Sequence, residues 1–101
     1  MLVVINTTVA NKKDAKNLAR MLIESKLSAC VQISKIKSFY PWQNKIRKDK
    51  EFLLSIKSKS ENVDKILKQL KEKHSYELPE FVVFEIKESS VEYEKWLFDC
   101  M

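Results

Sequence analysis

The chain's one histidine, His74, stands in a short stretch with Tyr76, Glu77 and Glu80 around Pro79. An imidazole and two carboxylates gathered at a proline turn are a donor set that suits Cu(II), Zn(II) or Ni(II) at modest affinity. No second histidine and no nearby thiolate accompanies them, so the remaining ligands of such a site are expected from more than one subunit. His74 also falls where a helix should end, and an imidazolium there stabilises the helix C-terminus by roughly 0.3–1 kcal/mol. The two thiols, Cys30 and Cys100, share no close-spaced motif, which excludes a disulfide framework or a C-x-x-C site and fits a reducing compartment. Cys30 and His74 are the one conceivable thiol–imidazole pair. Cys30, however, alternates with the apolar Ala29 and Val31, the pattern of an inert strand thiol. No catalytic residue is therefore assigned, and an enzyme is not expected.

Composition removes other chemistries. The 101 residues contain no glycine. Walker-type phosphate loops, dinucleotide-binding turns, the G-x-S-x-G elbow and EF-hand loops all need a residue that tolerates positive φ or a close-approaching ligand. Lys+Arg count 19 against Asp+Glu 14, a net charge of +5, but only Arg20 and Arg47 are arginine. Lysine lacks the planar fork that reads bases, so the basicity looks compositional and no nucleic-acid partner is expected. The opening apolar run, Met1 to Ile5, has no basic flank and is too short for a leader or a membrane span. The expectation is a cytoplasmic protein with no membrane partner.

The length fits one domain, residues 1–101. Leu2 to Val9 is β-branched and apolar, the pattern of a covered strand. Asn11 is a plausible N-cap, with Asp14 in the first turn, and Ala15, Leu18, Ala19 and Leu22 form one helical stripe to about Ser25. From Ala29 the period changes to two through Val31 and Ile33, and Phe39, Tyr40 and Trp42 lead to a turn at Gln43 and Asn44. Lys45 to Lys57 returns as the second arm of a long hairpin. Its outer part, Lys45 to Glu51, is almost wholly charged and is expected to project into solvent or to pair with something else. Ser58 or Ser60 predicts the cap of a second helix, Ser58 with Glu61 making a capping box, and that helix ends near His74. Glu80 to Lys87 reads as a strand, and Val91 to Phe98 as a third helix.

The order β-α-β-β-α-β plus a C-terminal helix predicts an α+β, ferredoxin-like fold with two helices on one face of an antiparallel sheet. Strands one and four are too apolar to leave wet on the other face, so another copy is expected there. Three tenants of such a fold are excluded. An RNA-recognition motif needs stacking aromatics on the central strands, which carry one between them. Iron–sulfur clusters need more cysteines, and an acylphosphatase-like loop needs glycine.

Leu27-Ser28-Ala29-Cys30-Val31, then Ser38 to Ile46, Glu51, Ile56-Lys57, the run from His74 to Glu80, and Tyr93-Glu94-Lys95-Trp96-Leu97 together resemble the CutA divalent-cation tolerance family. The resemblance spans practically the whole chain. It implies a stable cytoplasmic homotrimer, similar in architecture to the PII signalling proteins and associated with tolerance of copper and other divalent metals. It further implies that the long hairpin reaches onto a neighbouring subunit, and that Tyr40, Trp42, Lys57, Tyr76 and Glu80 surround an inter-subunit cleft. Family members are described as binding copper through a cysteine at the end of strand one and the histidine before the Tyr-x-x-Pro turn. Here Asn6 holds the first position and only His74 carries over, with Glu77, Glu80 and Cys30 as further candidate ligands of Cu(II) or another divalent metal. Ser75 replaces the family's usual proline. A PII-like module binding a small anionic ligand in the cleft is the alternative that the resemblance leaves open. Where the family's hairpin usually has glycine, this chain has Asn44, which tolerates the left-handed region, so the same turn is expected.

Overall fold

A computed structural model describes residues 1–74 and 76–101; Ser75 lies outside the described residues. Among the described residues, four strands and three helices follow in the order β1 (Leu2–Val9), α1 (Lys12–Glu24), β2 (Cys30–Trp42), β3 (Lys45–Lys59), α2 (Val63–Lys73), β4 (Val82–Glu85) and α3 (Val91–Asp99). The strands form one antiparallel sheet in the order β2-β3-β1-β4. Among the described residues no helix is long and apolar enough to cross a membrane.

β1 lies between β3 and β4, which explains its nearly continuous apolar sequence. Val3, Ile5 and Val9 point to one side and pack with Leu54 and Ile56 of β3 under Leu18 and Leu22 of α1 and Ile66 and Leu70 of α2. Each such side chain contributes about 1.5–3 kcal/mol on burial. α1 starts as expected: Asn11 accepts a hydrogen bond from the Asp14 amide at 2.8 Å. Its end is made by a residue that the sequence did not mark. Lys26 has φ of 60°, its amide donates to Ile23 O, and the Leu27 amide reaches back to Leu22 O, each at 3.0 Å. This is a Schellman cap built without glycine. At the hairpin tip Gln43 and Asn44 have φ of 53° and 63°, the two positive values of a type I′ turn.

Three expected boundaries are corrected. β3 runs on to Lys59, so Ser58 is a strand residue and not a helix cap; its hydroxyl donates to Leu27 O at 2.6 Å. Ser60 does not cap either, since its hydroxyl and its amide both donate to Met1 O, and a 3-10 turn from Ser60 to Asn62 leads into α2. β4 is four residues long instead of spanning Glu80 to Lys87. Its register, Val3 opposite Glu85 through Asn6 opposite Val82, would next place Glu80 across from Thr8. The Thr8 carbonyl is instead taken by the His74 ring.

α1 and α2 cover one face of the sheet. The hairpin continues beyond them, giving a molecule 46 Å long, and β4 is exposed along its whole length, including Val82, Val83 and Phe84.

Candidate functional site

His74 caps α2 in extended conformation, which turns its ring toward the end of β1. Nε2 lies 2.8 Å from Thr8 O and 3.3 Å from Thr7 Oγ1, and the Tyr76 amide donates to Nδ1 at 3.1 Å. A carbonyl can only accept, so Nε2 carries the proton and the Nδ1 lone pair is committed to Tyr76. Burial pushes the imidazole below its ordinary pKa, against the opposing pull of the Thr8 carbonyl, Asp14 and Glu51. His74 thus clasps the segment after α2 onto β1.

The clasp positions Tyr76. Its hydroxyl donates to Glu51 Oε2 at 2.8 Å, and Glu51 is only 8% exposed. Burial, then the hydrogen bond to Glu51 and its charge, drive the phenol pKa well above its usual value. Period-two alternation in β3 puts Arg47, Asp49 and Glu51 on one face of the hairpin, where their partners on β2 include Tyr40 and Ile36. The Tyr40 hydroxyl donates to Asp49, a bond that raises the Tyr40 pKa, and Arg47 lies 3.5 Å from the same carboxylate. The run from Tyr76 to Glu80 folds beside this face and completes a cleft of about 700 Å³, walled by Tyr40, Trp42, Tyr76 and Pro79. Asp49, Glu51, Glu77 and Glu80 surround it, with Arg47 the single cation among the described lining residues. Burial, and secondarily the charge of Glu51, raise the Glu80 pKa.

Of the expected cleft residues, Tyr40, Trp42, Tyr76 and Glu80 meet here. Lys57 stands apart in the same chain: ten positions along β3 from Arg47, its Nζ donates to the Tyr93 hydroxyl at 3.1 Å and lies 5.2 Å from that ring's centre. Of the candidate ligands, Glu77 and Glu80 line the cleft while His74 is turned to β1. Cys30 starts β2 opposite Lys57, four residues along β3 from the Leu53 that faces Thr8, an offset of roughly 13 Å. Among the described residues no three His, Cys, Asp or Glu side chains are grouped to hold a metal ion. With both His74 nitrogens engaged as well, the described residues of one chain do not by themselves fit a resident metal. Sequence reasoning did not select Thr8, Arg47 or Asp49, and it met Glu51 only as part of a motif. The available signal was the alternation within Lys45 to Glu51, whose charge density reads at first as a solvated run.

Residues 3–100 match the family model described as CutA1 divalent ion tolerance protein. The chain is similar to the rice Protein CutA 1, chloroplastic, with 38% identity over 96 residues, 94% of this chain and 54% of the rice protein. It is similar also to the divalent-cation tolerance protein CutA of Thermus thermophilus, with 36% identity over 95 residues, 93% of this chain and 92% of that one. The solved structure of the periplasmic divalent cation tolerance protein CutA from Archaeoglobus fulgidus superposes with a TM-score of 0.96 at 33% identity, covering 99% of this chain and 98% of that one. Against the first curated relatives the chain spans only about half to two thirds of their length, 54% for the rice protein and 63% for the Xenopus laevis homolog.

Proposed function

The chain belongs to the family of CutA1 divalent ion tolerance proteins, and on that premise we propose that it serves divalent-cation tolerance in the cytoplasm as a homotrimer, meeting the cation at the acidic cleft. The observation that carries this reading is the excess of carboxylates around the cleft, four against Arg47 alone among the described lining residues. A concave site lined by one sign of charge concentrates counter-ions of the other sign. The cation is cargo in this reading, held by carboxylates from the cleft together with groups from a neighbouring copy. No reaction is assigned to the site.

The trimer is supported by what one chain leaves uncovered. Val82 and Phe84 on β4, and Trp42 at the cleft's rim, are exposed apolar groups, and α1 and α2 cover only the opposite face of the sheet. The strand order, with β1 and β3 central, is the one a ferredoxin-like fold would have. An anionic ligand in the same cleft, the PII-like alternative, finds no support in so acidic a lining.

Copper belongs to this proposal through His74, the one imidazole. Ligation there requires Nδ1 to give up the Tyr76 amide, so a copper-bound chain must rearrange after α2. Equilibrium dialysis against Cu(II) and Zn(II) separates the two donor types. If the carboxylates hold the cation, His74→Gln, which keeps an amide donor for Thr8 O and removes the imidazole, binds both metals as the parent does. If His74→Gln loses copper alone, the imidazole is the copper ligand. A parent protein that binds no divalent cation contradicts the proposal.

A further inference from the structure

The register between β2 and β3 sorts the hairpin's charges by face. Lys35 opposite Phe52, Lys37 opposite Lys50, Phe39 opposite Lys48 and Pro41 opposite Ile46 share one face; Ile36 with Glu51, Ser38 with Asp49, Tyr40 with Arg47 and Trp42 with Lys45 share the other. Both acids of the hairpin therefore fall on the cleft face. The first face carries four lysines and no carboxylate, and Lys35, Lys37, Lys48 and Lys50 are all exposed. Neither ion pair found among the described residues involves any of them. Lys37 and Lys50 stand directly across from each other, an arrangement that costs stability unless an anion lies between them. In their midst Phe39 is 67% exposed, with the Lys48 ammonium 6.0 Å from its ring centre.

This face has the same parity as Leu54 and Ile56, the β3 residues under the helices. The lysines therefore continue the helix-bearing side of the sheet, away from the cleft and from the open face assigned above to other copies. Composition alone offered no nucleic-acid partner; the sorting is visible only once the register is known.

We propose that this lysine ladder with Phe39 binds single-stranded nucleic acid without sequence preference. Successive lysines on one strand are about 6.6–6.8 Å apart, and the ribbon is two residues wide, so a single polyanionic strand laid along it meets all four ammoniums. Lysine neutralises phosphate as a point charge and does not read base edges bidentately, which makes the contact sequence-tolerant. The exposed Phe39 ring supplies the stacking surface that separates a single strand, with its free bases, from a duplex.

The test is fluorescence anisotropy of labelled oligothymidylate with the full chain at two salt concentrations. Four lysine–phosphate contacts give a slope of log K against log salt of about −2.8, or an affinity loss of about 50-fold between roughly 50 and 200 mM salt. Lys37→Gln with Lys50→Gln should halve the slope to about −1.4, an affinity loss of about 7-fold over the same range. Lys65→Gln with Lys68→Gln, the same charge change on exposed residues of α2, should leave it unaltered. Phe39→Ala should weaken binding at every salt concentration without changing the slope. The proposal is overturned if both lysine pairs act alike, if duplex binds more tightly than single strand, or if phosphatidylserine vesicles bind and the oligonucleotide does not.

Discussion

The Tyr76 hydroxyl satisfies a carboxylate that has almost no access to water, Glu51. Tyr76→Phe keeps the ring and removes the donor, so urea denaturation should show a loss of about 1–3 kcal/mol, the cost of leaving a buried acceptor unpaired. Tyr76→Phe with Glu51→Leu should recover part of that loss, because both polar partners are then gone. Two groups near the cleft also make stability depend on pH, with opposite signs. His74 titrates below its ordinary 6.5 in the folded chain, so the unfolded chain takes up the proton first. Stability should then fall as pH drops below about 6.5, where protonation of Nδ1 also ends its acceptance from Tyr76. Glu80 titrates above its ordinary 4.5, so the folded chain holds that proton longer, and its contribution falls as pH rises just above that value. Urea midpoints measured across both windows should flatten in the upper one for His74→Ala and in the lower one for Glu80→Gln. The local features of these residues were legible in sequence: His74 at a helix end, Tyr76 to Glu80 around a proline. That Tyr76 meets Glu51 was not, since a contact across 25 positions depends on how the loop lies against the hairpin.

Elements were most legible where a local motif set them. Asn11 caps α1 as its spacing from Asp14 implied, and Asn44 takes the left-handed conformation expected of it. They were least legible where tertiary contacts won: Ser58 has the right spacing for a capping box, but its hydroxyl is drawn to Leu27 O and the strand runs through it. β4 stops short because a side chain, His74, takes a carbonyl that longer strand pairing would have met. A chain without glycine places Lys26, Gln43 and Asn44 at positive φ, each against a side-chain penalty of roughly 1 kcal/mol or less for asparagine and more for lysine and glutamine. Lys26→Gly should therefore stabilise the protein by about 0.5–1 kcal/mol in equilibrium denaturation. Replacing Gln43-Asn44 by Asn-Gly, the preferred type I′ pair, should have an effect of the same sign. Destabilisation by Lys26→Gly would contradict the Schellman reading of the end of α1.

At the scale of the whole molecule, the proposed trimer would account for both the uncovered face of the sheet and the cleft side of the projecting hairpin. Light scattering should give about three times 11.9 kDa, and a monomer at micromolar concentration would contradict the trimer. Lys57, held by Tyr93 at the far end of β3, lies outside the cleft of its own chain. The family and the order of elements were readable from sequence because their signatures are spread along the chain. The acidic character of the cleft was not, because its carboxylates come from a strand and from a loop and converge only through the register of the hairpin. Calorimetric titration of Zn(II) into the parent protein and into Glu77→Gln with Glu80→Gln tests the central claim most directly. If the carboxylates of the cleft hold the cation, the double variant binds at least about tenfold more weakly, a difference of about 1.4 kcal/mol, with its oligomeric state unchanged. Equal affinity in the two proteins would contradict the account.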